Sequence, residues 1–253
     1  MIVFFFFVFG AIVASFIGVL TERLNTGTSW MRGRSRCDSC ATVLRSIELI
    51  PLVSWSISFG RCRSCGSRVS YRSTLAEGTL GVLFAVAYLQ LGFSVALIFF
   101  LLTLIFLLAV VLYDLRHMLV PRAFYLPFVV SAFAFALSTA TSLHSFGLTL
   151  LAAAAIGLAF FLLSVLSGGK WMGLGDAPIA FGLSLLSGAA ALSGLIFSFW
   201  IGAVIGIVLL VLTPRTRRMG IEVPFVPFLA AGFLLAYFTS WDPFLIVAAL
   251  LNA

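Results

Sequence analysis

Long apolar runs alternate with short polar interruptions along this chain. It opens on "MIVFFFFVFGAIVASFIGVL", and a polar stretch then occupies about residues 21–74. Beyond it, apolar runs are broken near "QLGFS", at residues 116–122, near "STATSLHS", at Lys170, near "LSG" and at residues 215–218. A spanning helix needs about 20 consecutive apolar residues. These runs are continuous and lack the alternation of barrel strands. The pattern predicts one helix before Arg23, two between Arg72 and Arg116, two between Arg122 and Lys170 and two between Lys170 and Arg215. An eighth, "VPFVPFLAAGFLLAYFTSW", follows Arg218, and the tail "PFLIVAALLNA" is too short to span. The expected fold is an all-α polytopic membrane protein of about eight transmembrane helices. Its divisions are helix 1 at residues 1–20, a loop at 21–74 and a membrane domain at 75–253.

Composition excludes a soluble domain. Of 253 residues, 62% are hydrophobic and 9% charged, too few charges to cover a water-facing surface. No basic residue precedes the first apolar run, so it reads as a retained helix and not a signal peptide. The net charge of +7 is an orientation signal more than a nucleic-acid footprint. Nine of the 15 Lys and Arg fall in residues 23–72, and the rest are Arg116, Arg122, Lys170, Arg215, Arg217 and Arg218. Eight helices put every one of them on the same side, which the bias of basic loops makes the cytosol, with both termini outside. The partner implied is the lipid bilayer, including its acidic headgroups, and no nucleic acid.

All four cysteines lie in the polar loop, as "CDSC" (Cys37, Cys40) and "CRSC" (Cys62, Cys65) with 21 residues between the pairs. Two such knuckles suit a tetrahedral zinc site with no open position, a staple for a loop poor in large apolar residues. A thiol-oxidising relay is the alternative, but that chemistry belongs on the oxidising face of a membrane.

Eight acids remain. Glu22, Asp38 and Glu48 suit solvated pairs with the basic loop, while Glu222 and Asp242 flank the last helix. Glu77 stands apart, one turn into an apolar helix. Asp114 in "VVLYDLRHMLVPR" and Asp176 in "GLGDAPIA" differ again: the first ends the third helix and the second begins the sixth, at one membrane face. An acid within a spanning segment costs about 2.5–3.5 kcal/mol on insertion scales and marks a candidate site. Two carboxylates at one depth, sharing a proton, can activate water and polarise a carbonyl. The local alternative makes Asp176 an N-cap and pairs Asp114 with Arg116 or Arg122. His117 is placed to tune the site. His144 and Lys170 have bland readings as an outer-turn residue and a topology anchor.

These residues resemble the type IV prepilin peptidases. The resemblance is carried by "GAIVASFIGVLTERL", the CxxC pairs, "IELIPLVSWSISFGRCRSCGSRVSYR", "DLRHMLVP", "GLGD" and "VPFVPFLAAG", in that order. It implies a GxGD-type aspartic endopeptidase with Asp114 and Asp176 as the catalytic pair. Such an enzyme sits in the bacterial inner membrane and cleaves the basic leader of type IV prepilins or pseudopilins at the cytosolic face. It also implies methyl transfer from S-adenosylmethionine to the new N-terminus, linked to the cysteine-bearing loop. Pro178 stands where the family usually has a basic residue, Gly18 where it has Asn, and Asn25 where it has Pro. Two further readings stay open: a peptidase lacking methyl transfer, and a transporter or channel using Asp114 and Asp176 as an ion relay. Relays space their acids through the membrane depth, whereas both acids here belong to one face.

Overall fold

The computed structural model describes residues 1–24, 35–37, 39–213 and 223–243. Asn25, Asp38, Glu222, Arg215, Arg217, Arg218 and nearly all of the C-terminal tail lie outside them. The described chain is helical, and its only β-type pairings are two isolated bridges in the polar loop. It divides into two compact units, Met1–Leu97 and Ile98–Ala253.

In the first unit, α1 (Ile2–Arg23) packs antiparallel against α3 (Arg72–Leu91). Small residues set the approach. A Cβ on Gly10 would lie 2.7 Å from the Leu80 carbonyl oxygen, and one on Gly81 would lie 2.8 Å from that of Phe7. Without a hydrophobic force between helices in lipid, such close backbone contact is what holds a pair together. Phe6 stacks on Tyr88 at the far end, ring centroids 4.6 Å apart. Between the two helices, the loop carries a 3₁₀ turn at Ser46–Leu49 and the short α2 (Val53–Ile57).

The second unit begins within α4 (Val95–His117) and continues through α5 (Arg122–Thr139), α6 (Leu143–Leu166), α7 (Asp176–Ser187), α8 (Ala191–Leu212) and α9 (Val226–Thr239). Its hub is α7, buried nearly all round. A helix apolar on every face belongs inside, and "APIAFGLSLLS" is such a sequence. Gly182 meets Phe128 of α5, and Gly157 of α6 meets Phe181. Ala132, Ala136, Ala153 and Leu185 close the core. Ser187 Oγ donates to the Phe233 carbonyl, 3.5 Å away, and Gly194 of α8 also packs on Phe233, so α7 and α8 both pack on α9 at the same residue.

All eight apolar helices occur where the pattern places them, but the count of full crossings is approximate. Among the described residues, six stretches are long and apolar enough to cross a membrane. One of these, Asp176–Leu212, is divided into α7 and α8 by a turn at Gly188, whose φ of +54° favours glycine. At 12 and 14 residues, α7 and α9 extend only about 18 and 21 Å, short of a hydrocarbon core of about 30 Å. Apolar composition marks a buried helix as readily as a spanning one, so pattern alone cannot separate them.

Candidate active site and metal centre

Asp114 lies in the last turn of α4 at the end of a buried stripe: Phe100, Leu104, Leu107, Val110, Tyr113 and Asp114 itself. The stripe has the three-and-four spacing of a core-facing helical face, so the acid is carried inward by the same periodicity as its apolar neighbours. Met118, at φ +52°, stops the helix, and its N–H donates to the Asp114 carbonyl oxygen at 2.8 Å.

Asp176 is the first residue of α7. Gly175 occupies the N-cap position with no side-chain cap, so Asp176 is not the cap its residue type suggested. Its Oδ2 instead accepts from the Gly173 N–H at 3.2 Å, while its own N–H donates to the Gly173 carbonyl at 3.1 Å. This tight turn fixes the carboxylate against its own loop. Pro178 falls in the first helical turn, where a missing N–H costs little.

Both acids are buried, and they are near enough for their charges to interact. Contact between their flanking segments brings them there: a Cβ on Gly175 would lie 2.7 Å from Val120 Cβ. A third element completes the site. The backbone N–H of Val226, first residue of α9, hydrogen-bonds the Asp114 carboxylate. Asp114 Oδ2 has no hydrogen-bond partner and is one of two such buried side-chain oxygens among the described residues, with Ser164 Oγ. An orphaned carboxylate oxygen beside a second acid is poised to meet a polar reactant, since burial without a partner is otherwise costly.

Val226 escaped the sequence reading because a backbone donor leaves no side-chain signature. Pro227 directly after it was the available sign, as proline marks helix starts. His117 is exposed and lies against Tyr113, ring centroids 4.4 Å apart. His144 and Lys170 are exposed. Glu77 is buried in α3 and accepts from the Leu52 N–H at 2.8 Å, so it serves the first unit.

In the first unit, the four cysteine sulfurs all lie within 4.8 Å of one another, with Cys37 and Cys65 at 3.9 Å. A tetrahedral zinc with bonds of about 2.3 Å separates its sulfurs by about 3.8 Å, so the donor set fits that metal. The knuckles repeat one backbone pattern. Cys37 N–H donates to the Thr42 carbonyl and Ala41 N–H to that of Cys37; Cys62 N–H donates to Ser67 and Gly66 N–H to Cys62. Bridges Arg36 to Val43 and Arg61 to Arg68 close each turn. Hydrogen bonds from the Cys40 and then the Ser39 backbone lower the Cys37 thiol to about 6, and the Ser67 side chain leads in lowering Cys65. These two shifts favour the thiolate that binds metal, while burial and then the Cys37 and Cys65 side chains push the Cys62 thiol the other way.

The Bacterial Peptidase A24 N-terminal domain matches residues 8–91, and the Type IV leader peptidase family matches residues 101–211. A prepilin leader peptidase/N-methyltransferase of Bacillus subtilis is 35% identical over 238 residues, covering 91% of this chain and 92% of that protein. The chain belongs to the type IV leader peptidase family. Relatives with the same name from Myxococcus xanthus and Dichelobacter nodosus are 32% and 31% identical, over 85% and 79% of this chain and 66% and 69% of theirs. No solved structure matches it. As a family member it is a peptidase with multiple apolar helices, and Asp114 falls within the stretch matched by the leader peptidase model, as does Asp176.

Proposed function

We propose that this peptidase removes the leader of type IV prepilins or pseudopilins, acting as an aspartic endopeptidase at the cytosolic face of the bacterial inner membrane. The observation that carries the reading is that Asp114 and Asp176, buried at the ends of two different helices and held by N–H groups of Val226 and Gly173, lie near enough for their charges to interact. In aspartic dyads, one proton is shared between two carboxylates. One carboxylate takes a proton from water, and the resulting oxygen attacks the scissile carbonyl carbon. The other gives its proton to the carbonyl oxygen. Collapse of the tetrahedral species breaks the C–N bond, and the departing amine takes up a proton from the dyad. The Val226 and Gly173 donors hold the carboxylates in register, which limits the reorganisation the step needs.

The second half of the proposal is transfer of a methyl group from S-adenosylmethionine to the freed amine, with residues 21–74 as the region responsible and residues 75–253 as the peptidase domain. Its support is the name carried by the relatives. Cys37, Cys40, Cys62 and Cys65 hold zinc as a structural staple. With four thiolates the shell is full, so the metal supplies loop stability and no open position for substrate.

Co-expression with a tagged prepilin, followed by mass spectrometry of the pilin N-terminus, tests both halves. The expected product begins directly after the leader glycine and carries one added methyl group. Full-length prepilin throughout would refute the peptidase reading, and a cleaved but unmethylated product would refute the methyl-transfer half.

A further inference from the structure

In the first unit, residues 47–59 expose Ile47, Leu49, Ile50, Val53, Ile57 and Phe59, the last at 87%. Six large apolar side chains in so short a stretch form a patch that water-facing surfaces rarely carry. The segment also lies alongside the spanning helices. Leu49, Ile50 and Pro51 line a groove of about 420 Å³ with Ile12, Ser15, Phe16 and Val19 of α1. Ile12 is 11 residues before Arg23, roughly 16 Å along the axis. From the other side, Leu52 Cδ2 lies 3.6 Å from where a Cβ on Gly78 would be, more than one turn into α3. The loop therefore descends past the ends of both helices that tether it.

Its backbone suits that depth. In hydrocarbon, an N–H must find an internal partner. Pro51 has none to satisfy, and the Leu52 N–H donates to buried Glu77 Oε2 at 2.8 Å. The N–H groups of Ser54, Ser56, Ser58, Phe59 and Gly60 donate to carbonyls of the same segment. Three of its side-chain donors also have partners within the same unit, although Ser56 itself is exposed: Ser56 Oγ donates to the Leu52 carbonyl, Ser58 Oγ to that of Trp55, and the Trp55 indole to that of Val69. Exposed arginines flank the segment along the chain: Arg45 before it, and Arg61, Arg63, Arg68 and Arg72 after it. An exposed apolar segment flanked by exposed cations is the chemistry of a bilayer interface with acidic headgroups.

The geometry points to residues 47–59 as an interfacial membrane anchor, with lipid acyl chains against their apolar face and acidic headgroups on the flanking arginines. Glu77 is the clasp that ties this anchor to α3. The metal-binding knuckles on either side of it, at residues 37–40 and 62–65, are thereby held at the leaflet surface.

The test uses the full-length protein in nanodiscs of phosphatidylcholine, alone or mixed with phosphatidylglycerol. A phosphatidylcholine bearing a diazirine on its acyl chain is photolysed there, and adducts are mapped by mass spectrometry. Adducts on residues 47–59 should come within about threefold of those on α1, and should rise with phosphatidylglycerol. Arg61→Gln with Arg68→Gln should remove that rise while leaving the adducts on α1 unchanged. Ile57→Glu with Phe59→Glu should lower segment labelling about tenfold. A segment that stays unlabelled while α1 and α3 are labelled overturns the anchor in the wild-type protein, whatever the variants do. Labelling indifferent to phosphatidylglycerol overturns the headgroup assignment. Labelling displaced by an added prepilin helix peptide makes the groove a substrate site and overturns the lipid one.

Discussion

Val120 fills the space that a side chain on Gly175 would need, and the Cβ-to-Cβ distance would be only 2.7 Å. Val120 follows Asp114 by six residues, and Gly175 immediately precedes Asp176. The two motifs thus pack together through a valine against a bare backbone. Glycine here sets the separation of two acids from different helices.

Gly175→Ala is therefore expected to push the motifs apart. Overpacking of this kind costs about 1–3 kcal/mol, and small misplacements of catalytic groups cost rate steeply, on the order of 100-fold. Cleavage of a prepilin should fall well beyond what lower stability explains. Val120→Ala in the same chain should recover part of the lost rate. A kinetic comparison of the single and double variants checks this, and a double variant no better than Gly175→Ala contradicts it.

The two cysteine knuckles make opposite predictions at matched positions. Ala41 and Gly66 occupy the same place in each turn and both have positive φ, +55° and +72°. Alanine there carries a steric penalty of about 1 kcal/mol that glycine avoids. Ala41→Gly should tighten zinc binding several-fold and Gly66→Ala should weaken it, as read by competition with a chelating dye. Equal effects of the same sign would contradict the matched-knuckle reading.

Removing the metal should act on the loop and not on the dyad. Elemental analysis should find one zinc per chain in the wild type and little in Cys37→Ser or Cys62→Ser. Protease digestion of residues 35–70 should then become markedly faster, since structural zinc contributes folding free energy directly. Loss of metal without a change in digestion would count against the staple.

Much of this arrangement was legible because the membrane makes charge expensive. Each interruption of an apolar run marked a helix end, and the rarity of acids drew attention to Asp114, Asp176 and Glu77 before any packing was known. The cysteine spacing likewise announced a cluster. Other features had no sequence signal of the same kind. The Val226 N–H is a main-chain donor, visible only once α9 is docked on α4. Asp176 suggested an N-cap by residue type, but Gly175 takes that position and leaves the carboxylate to the Gly173 N–H. The lengths of α7 and α9 follow from where they pack, which hydropathy does not encode. Glu77 stood out as an oddity, and its partner, the N–H of Leu52 at the N-cap of α2, lies 25 residues away.

The central claim is that Asp114 and Asp176 work as one dyad. Its most direct test is cleavage of a purified prepilin by the wild type, Asp114→Asn, Asp176→Asn and the double variant, each reconstituted in lipid and checked for intact folding. The account predicts that each single variant loses about 1,000-fold or more in rate and that the double variant is no slower than either, as for residues acting as a unit. A single variant retaining more than about a tenth of the wild-type rate, well outside the range for lost catalytic groups, would contradict it.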